Sequence, residues 1–277
     1  MAADLPPAAA AWKEANINVN AQREGGLAVD IRDVKELTEE RWKQIESLPD
    51  LRRFSANGVG FDDAGLARAA KISTIETFFF NGPSITDQGL SVLATMPRLK
   101  RFGVDHSTKI TGNDLGTLKT APLLTALHFG GCIVGDSAVT SLVQIKQLQD
   151  LALGHDRITR ASFPLLAKMP ALQRLEITPN WDPRPYTAAD FSTLAAAPAL
   201  QELEIHDMVL PWANGLDAFQ KTKSLKVLKL YWCYLTDEDI AAAKAHLPGV
   251  EIDVRNKAGE DRLQEYQKRV AALKTAK

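Results

Sequence analysis

Four of the five histidines lie in or just after short segments that alternate apolar and other residues. They are His106, His128, His155 and His206. An imidazole can carry protons near neutral pH, bind a metal ion or hydrogen-bond a partner. These side chains are therefore the first candidates for a functional site.

Small residues accompany three of these histidines and predict a shallow depression that could take a ligand. The depression would be floored by Gly103, Gly130, Gly131, Ala152 and Gly154 and flanked by His106, His128 and His155. In successive strands of one sheet, His106 and His155 would lie two strands apart, at about 10 Å. The ligands of one zinc ion must all lie within about 2.1 Å of it. We therefore expect no metal site and no cofactor. The histidines should be solvated or contact a partner.

Aromatic and arginine side chains form a second candidate site towards the C-terminus. The segment TPNWDPRPYTAADF is stiffened by proline and carries Trp181, Arg184 and Tyr186. Trp212 and the pair Tyr231-Trp232 follow the next two apolar segments. Trp, Tyr and Arg are the residues that anchor protein interfaces. The sequence therefore predicts an aromatic rim that contacts a partner, although large rings on turns also fold back onto a core.

An acidic strip is expected beside this rim. Glu176, Glu204 and Asp207 fall on neighbouring segments, with Lys229 one segment further. Such a strip would suit a basic group of a partner, or stay solvated. The predicted partner-binding residues are Trp181, Arg184, Tyr186, Glu204, His206, Asp207, Trp212, Tyr231 and Trp232.

Motifs of known catalytic chemistry are missing from the sequence. It has no Gly-rich phosphate loop, no G-x-S-x-G, no H-E-x-x-H and no C-x-x-C. Scattered Ser, His and Asp residues do not define a triad, because a triad is a geometric arrangement. We expect a protein that is not an enzyme.

An L-x-x-L-x-L pattern, repeated in tandem, must position these side chains. Its units are 24, 24, 25, 24, 24, 28 and 25 residues apart. They start at Leu51, Ile75, Leu99, Leu124, Leu148, Leu172, Leu200 and Leu225. The segment 27–50 counts as a degenerate first unit, which makes about nine. One such unit cannot bury its own apolar face, so the units must stack.

Each unit carries two periodicities. Alternating apolar positions such as Leu151 and Leu153 predict a strand with one buried face. A polar pair such as Thr86-Asp87 predicts the start of a short helix, with a side-chain oxygen capping the free N–H groups. Leu90 and Leu93 then predict one buried helical face.

The repeated line, of the form L-x-x-L-x-L-x-x-C-x-I-T-D-x-G-L, resembles the leucine-rich repeat family over roughly residues 27–254. It is most similar to the ribonuclease-inhibitor-like or cysteine-containing subtype and to repeats of this kind in bacterial proteins. The resemblance implies an α/β horseshoe solenoid, with parallel strands on the concave face and short helices on the convex face. It commonly implies partner binding by the concave face and names no partner. The usual polar ninth position departs from the family pattern at Pro83 and Met208.

Cys132 and Cys233 share that ninth position four units apart. At the strand spacing this is about 20 Å, well beyond the roughly 7 Å between Cα atoms that a disulfide allows. We expect two separate, buried thiols that act as small apolar side chains.

Both ends of a stack need a cap, because stacking leaves apolar surface exposed at each end. Residues 1–26 predict a helix at 8–15 and a hairpin of segment 16–20 with segment 27–31. Residues 27–254 form the solenoid, and residues 255–277 predict a capping helix. An apolar stripe of that helix consists of Leu263, Tyr266, Val270 and Leu273. The stripe could instead mediate self-association.

The composition is that of an ordinary globular chain of 277 residues, with 45% hydrophobic and 24% charged residues. The net charge of -1 gives no general attraction to nucleic acid, and basic residues of the strands are mixed with acidic ones. We expect no nucleic-acid partner and no membrane insertion. The chain could be cytoplasmic, or exported with its leader removed.

The function predicted from these features is non-catalytic recognition or scaffolding. A protein or peptide partner would contact the concave face and the C-terminal aromatic rim. One alternative is a small-ligand or metal-binding protein, or an enzyme, that uses the histidine-lined depression. The other is a self-assembling structural protein, although a monomer is favoured.

Overall fold

A computed structural model describes residues 17–33, 35–58, 60–179, 184 and 186–275. The chain divides into two compact units, Met1–Ile133 and Val134–Lys277. The strands of unit 1 are β1 (Ile17–Ala21), β2 (Leu27–Ile31), β3 (Leu51–Asn57), β4 (Thr77–Asn81), β5 (Arg101–Asp105) and β6 (Ala126–Gly130). Those of unit 2 are β7 (Asp150–Gly154), β8 (Arg174–Ile177), β9 (Glu202–His206), β10 (Val227–Tyr231) and β11 (Glu251–Arg255).

Short helices follow most of the strands. The described α-helices are α1 (Glu39–Glu46), α2 (Asp63–Ala69), α3 (Asp87–Leu90), α4 (Asp136–Leu142), α5 (Phe163–Leu166), α6 (Ala188–Ala195), α7 (Asp237–His246) and α8 (Glu260–Thr275). The 3₁₀ turns are Ser91–Thr95, Leu115–Thr120, Arg160–Ser162 and Leu216–Lys221. In the part of the chain that the structure describes, no helix is both long enough and apolar enough for a membrane span.

Strand pairing within each unit follows the order of the chain. β1 and β2 pair antiparallel across a turn in which Gly25 and Gly26 have φ values of 89° and 78°. Such left-handed values favour glycine because it has no Cβ. From β2 to β6, and again from β7 to β11, neighbouring strands are parallel. The segments expected to form a hairpin therefore pair as antiparallel strands.

Equivalent apolar positions of successive strands pack on one another. Phe54, Phe78 and Phe102 are in register, and their ring centroids are 5.2 and 6.0 Å apart. In unit 2, Leu151 and Leu153 are fully buried, as predicted. Within each unit, neighbouring strands therefore stack their apolar side chains in an interior, and the alternate side chains form what we call the open face.

Helix starts follow the predicted polar pairs, but the capping prediction is only partly right. Helices begin at Asp87, Asp136 and Asp237, as expected. Thr236 caps its own helix by accepting a hydrogen bond from the backbone N–H of Asp239. Thr86 accepts no such bond, so the prediction is wrong there.

An aspartate ladder between repeats takes the place of the missing caps. Thr86 donates its backbone N–H and its hydroxyl to Asp63 of the preceding repeat, at 2.9 and 2.6 Å. Asp87 likewise accepts from Thr111 and from the backbone N–H of Gly112. The Thr-Asp pair therefore forms hydrogen bonds with the neighbouring repeats. The sequence of one repeat alone does not predict these bonds.

Candidate functional site

The residue after most strands has a positive φ. In unit 1 these residues are Gly58, Gly82, His106 and Gly131, and in unit 2 they are His155, Asp207, Trp232 and Asn256. The backbone N–H of Trp232 donates to the carbonyl of Arg255 at 3.1 Å, and that of His106 donates to Gly130 at 2.7 Å. The left-handed turn thus links the end of one strand to the end of the next. We call His155, Asp207, Trp232 and Asn256 the rim of unit 2.

Trp232 is the unusual member of this rim. Its φ is 51°, and bulky residues rarely adopt that conformation because the Cβ crowds the following carbonyl. Its side chain is also 46% exposed. Packing of the core explains neither the strained backbone of Trp232 nor the exposure of its indole.

Trp232 belongs to an aromatic cluster made of His155, His206, Tyr231 and Trp232. Trp232 stacks on the imidazole of His206 with ring centroids 5.5 Å apart. Tyr231 meets His206 edge-on at 5.5 Å, and His155 meets it edge-on at 6.5 Å. The cluster therefore holds the exposed indole in one orientation.

Carboxylates surround the buried imidazole of His206. Its Nε2 lies 2.8 Å from Glu204 Oε1 and 3.9 Å from Glu176 Oε1. Burial raises the pKa of Glu204, but its hydrogen bond with His206 and the nearby charges of Lys229 and Arg174 outweigh burial, so the pKa is lowered. Glu204 therefore carries a negative charge at neutral pH.

Asp207 and Tyr231 are each fixed by a neighbouring element. Asp207 lies 3.7 Å from His155 Nδ1 and accepts a 2.7 Å hydrogen bond from Arg262 of α8. Tyr231 donates to Asp253 at 2.9 Å, and its pKa is raised by burial and by this hydrogen bond. The C-terminal helix thus holds Asp207 in place, and β11 holds Tyr231.

The other predicted partner-binding residues lie elsewhere, and the assignment stays a prediction. Tyr186 packs on Phe163 and Phe191 beneath the guanidinium of Arg160. Trp212 stacks on His246 of α7 at 5.4 Å. Arg184 is exposed, and its carbonyl accepts from Arg160 at 2.9 Å. Trp181 and the helix predicted at 8–15 lie outside the described residues.

In unit 1 the predicted depression is partly filled by neighbouring side chains. A Cβ on Gly103 would lie 2.6 Å from the ring of Phe79, and one on Gly130 would lie 2.2 Å from Asp105 Oδ1. His128 Nε2 is 2.9 Å from that carboxylate. His106 Nδ1 lies 3.2 Å from Asn81 Oδ1. His155 belongs to unit 2, so the predicted grouping of these three histidines stays a prediction.

Cys132 and Cys233 are both buried. Burial raises the pKa of Cys233 to about 12. Its thiol lies 3.4 Å from the carbonyl of Ile205, within reach as a weak donor. A buried, protonated thiol is a packing residue rather than a nucleophile.

Across the described ranges, one set of three or more His, Cys, Asp and Glu side chains brings its donor atoms within 4.8 Å of one another. The set consists of Glu176, Glu204 and His206. Sequence reasoning placed Glu176 and Glu204 in an acidic strip and missed their convergence on His206. The signal was available, because Glu176 and Glu204 occupy one register position and His206 follows two residues later.

The sequence matches no protein-family model and no curated protein. Its fold is similar to an internalin, InlF, from Listeria monocytogenes, with a TM-score of 0.52 and 17% identity over 83% of this chain and 58% of that chain. It is also similar to TLR13 in its complex with ssRNA13, with a TM-score of 0.55 and 15% identity over 80% of this chain and 31% of that chain. A protein from Bacteroides fragilis gives a TM-score of 0.59 and 19% identity, covering 82% of this chain and 74% of that chain.

These likenesses, with eleven mostly parallel strands in chain order joined by short helical segments, define a leucine-rich repeat solenoid. The predicted family resemblance and fold class are therefore confirmed. The ribonuclease-inhibitor-like subtype and the boundaries after residues 26 and 254 stay predictions. The chain spans about three fifths of the internalin chain and about a third of the TLR13 chain.

Proposed function

We propose that this chain is a non-catalytic recognition module whose unit 2 binds a protein or peptide partner, with Trp232 as the main anchor. The observation that carries the proposal is an exposed indole at a left-handed backbone position. Indoles that are held rigidly at a surface lose little conformational entropy on binding. The stack on His206 provides that rigidity.

The charge of the open face of unit 2 indicates the chemistry of the partner. The acidic side chains there are Asp150, Glu176, Glu202, Glu204, Glu251 and Asp253, and the basic ones are Arg174, Lys229 and Arg255. This excess of carboxylates attracts basic groups and repels phosphates. We therefore favour a partner with a basic contact surface over a nucleic acid.

The leucine-rich repeat neighbours support a binding role by analogy of fold. Solenoids of this kind present an extended surface of many strands, and such a surface suits recognition of a macromolecule. The analogy supports the class of function and does not identify the partner.

Affinity capture with matched tryptophan variants tests the proposal. Wild-type, Trp232→Ala and Trp212→Ala chains would each capture proteins from the source organism, and a recovered partner would be purified for calorimetry. We expect Trp232→Ala to weaken binding by about 2 kcal/mol, or roughly 30-fold in Kd. Trp212→Ala provides the comparison. Because Trp212 packs on His246, this proposal expects an unchanged Kd, in contrast to the contact role that the sequence predicts for Trp212.

Two results would contradict this function. One is a partner that Trp232→Ala binds as tightly as the wild type does, with circular dichroism showing that both are folded. The other is binding that strengthens as salt concentration rises, because an acidic surface that attracts a basic partner must bind it less well when charges are screened.

A further inference from the structure

Three donor atoms converge around the imidazole that stacks on Trp232. They are Glu176 Oε1 on β8 and Glu204 Oε1 and His206 Nε2 on β9. All lie within 4.8 Å of one another. The convergence follows from the register, since Glu176 lies opposite Glu204 and His206 is two residues further along the same face.

The separations suit a small tetrahedral ion. Ligand atoms at 2.0–2.1 Å from a tetrahedral zinc ion lie about 3.3 Å from one another. The distances from His206 Nε2, 2.8 Å to Glu204 and 3.9 Å to Glu176, fall on either side of that value. To ligate one ion, Glu204 Oε1 would lie slightly further from His206 Nε2 than it does here, and Glu176 Oε1 slightly closer.

Basic residues contact Oε2 of Glu204, whereas Oε1 faces His206. Glu204 Oε2 lies 3.5 Å from Lys229 Nζ and 3.8 Å from Arg174 Nη2. Contacts of this kind around a metal ligand fix its orientation. They leave Oε1, which faces His206, as the atom available to an ion.

An unpartnered hydroxyl follows strand β8, which carries Glu176. Thr178 is fully buried, and its Oγ1 has no hydrogen-bond partner. Thr178 follows Ile177, whose register partner is Ile205, so its backbone lies at the same end of the two strands as His206. A buried hydroxyl without a partner is costly, and a water bound to a nearby ion would satisfy it.

Burial favours an ion over a side chain of a partner as the occupant. Glu204 is 7% exposed and His206 is 8% exposed. A guanidinium or ammonium group from outside would need access to both carboxylates, whereas a single ion needs only the space between the three atoms.

We propose that Glu176, Glu204 and His206 bind one divalent transition-metal ion of the zinc type, with water as the fourth ligand beside Thr178. Imidazole nitrogen favours such ions over Mg²⁺ and Ca²⁺, which prefer sites made of oxygen alone. The site goes beyond the recognition role, because metal binding is measured without any partner.

Calorimetric titration of the untagged, EDTA-treated full chain with Zn²⁺ tests the site, with Mg²⁺ as the comparison ion. We expect one Zn²⁺ per chain and no binding of Mg²⁺. Glu176→Gln and His206→Gln should each weaken Zn²⁺ binding by at least about tenfold. At one Zn²⁺ concentration, the Tm of the wild type should rise more than that of either variant.

The chain provides a matched control in His246→Gln. His246 stacks on Trp212 at 5.4 Å much as His206 stacks on Trp232 at 5.5 Å. It does not belong to the set of converging donors. An unchanged affinity in His246→Gln supports the site, and a loss equal to that of His206→Gln overturns it in favour of adventitious binding by surface histidines.

Absence of Zn²⁺ uptake by the wild-type chain would also overturn the proposal. If His206→Gln does not fold, Glu176→Gln decides the matter, since glutamine keeps the shape of that partly exposed side chain. Co²⁺ provides an independent measurement, because the visible spectrum of a bound tetrahedral ion should appear in the wild type and be lost in Glu176→Gln.

Discussion

Replacing Trp232 separates the strain of its backbone from the contacts of its ring. At a φ of 51°, any Cβ is expected to cost about 1–2 kcal/mol, whereas glycine avoids that cost. Glycine loses about 0.5–1 kcal/mol through the greater freedom of the unfolded chain. We therefore expect Trp232→Gly to be more stable than Trp232→Ala by about 1 kcal/mol.

Both variants should be less stable than the wild type if the ring contacts matter. The stack on His206 and the edge contact with Tyr231 are worth about 0.5–1.5 kcal/mol each beyond burial. Trp232→Ala loses these contacts and keeps the strain, while Trp232→Gly loses the contacts and releases the strain. Only the difference between the two variants reports the backbone term.

Urea unfolding followed by far-ultraviolet circular dichroism measures this difference, provided that the m-values agree. Val227 on β10, the strand that precedes Trp232, is the control, because in a regular strand alanine is more stable than glycine by about 0.5–1 kcal/mol. The order should therefore be reversed between positions 227 and 232. A Trp232→Ala chain as stable as Trp232→Gly would refute the argument that this position is strained.

Two further predictions concern the ladder and the thiols. Asp87→Ala should cost about 2–3 kcal/mol, because it leaves the backbone N–H groups of Thr111 and Gly112 and the hydroxyl of Thr111 without an acceptor. Asp114→Ala should lower the free energy of unfolding by less than about 0.5 kcal/mol in the same urea experiment, since Asp114 is exposed and its side chain makes no capping hydrogen bond. Equal losses in the two variants would exclude the ladder as the cause. In a Cys132→Ser chain at pH 8, Cys233 should not react with Ellman's reagent until the protein is unfolded, because its pKa is raised to about 12. Reaction of one equivalent of thiol in the native chain would contradict this.

The fold was predictable because each repeat carries the same residue pattern. Alternating residues such as Leu151 and Leu153 indicate a buried strand face, and eight tandem units in the same order leave little room for another architecture. The ladder was missed because Asp63 and Thr86 lie 23 residues apart. A hydrogen bond between repeats depends on the stacking distance, which no single unit contains.

The candidate site was only partly predictable, since its geometry depends on which side chains turn inward. Tyr186 and Trp212 have the residue types of an interface, yet each packs on rings of its own unit. His206, which reads as a polar strand residue, is buried and lies at the centre of the aromatic cluster. Residue type identifies what can bind, and packing decides which of these residues remain available to a partner.

Repeated structure provides an internal comparison that single-copy folds lack. The left-handed position after the strand occurs several times, and in unit 1 it is filled mostly by glycine, at Gly58, Gly82 and Gly131. The backbone requirement is the same wherever the N–H donates to the next strand end, as it does for Gly82 and Trp232. Because glycine meets that requirement at least cost, a tryptophan there needs a reason other than folding. The exposed part of its ring, which stacks on the imidazole of His206, points to binding of a partner as that reason.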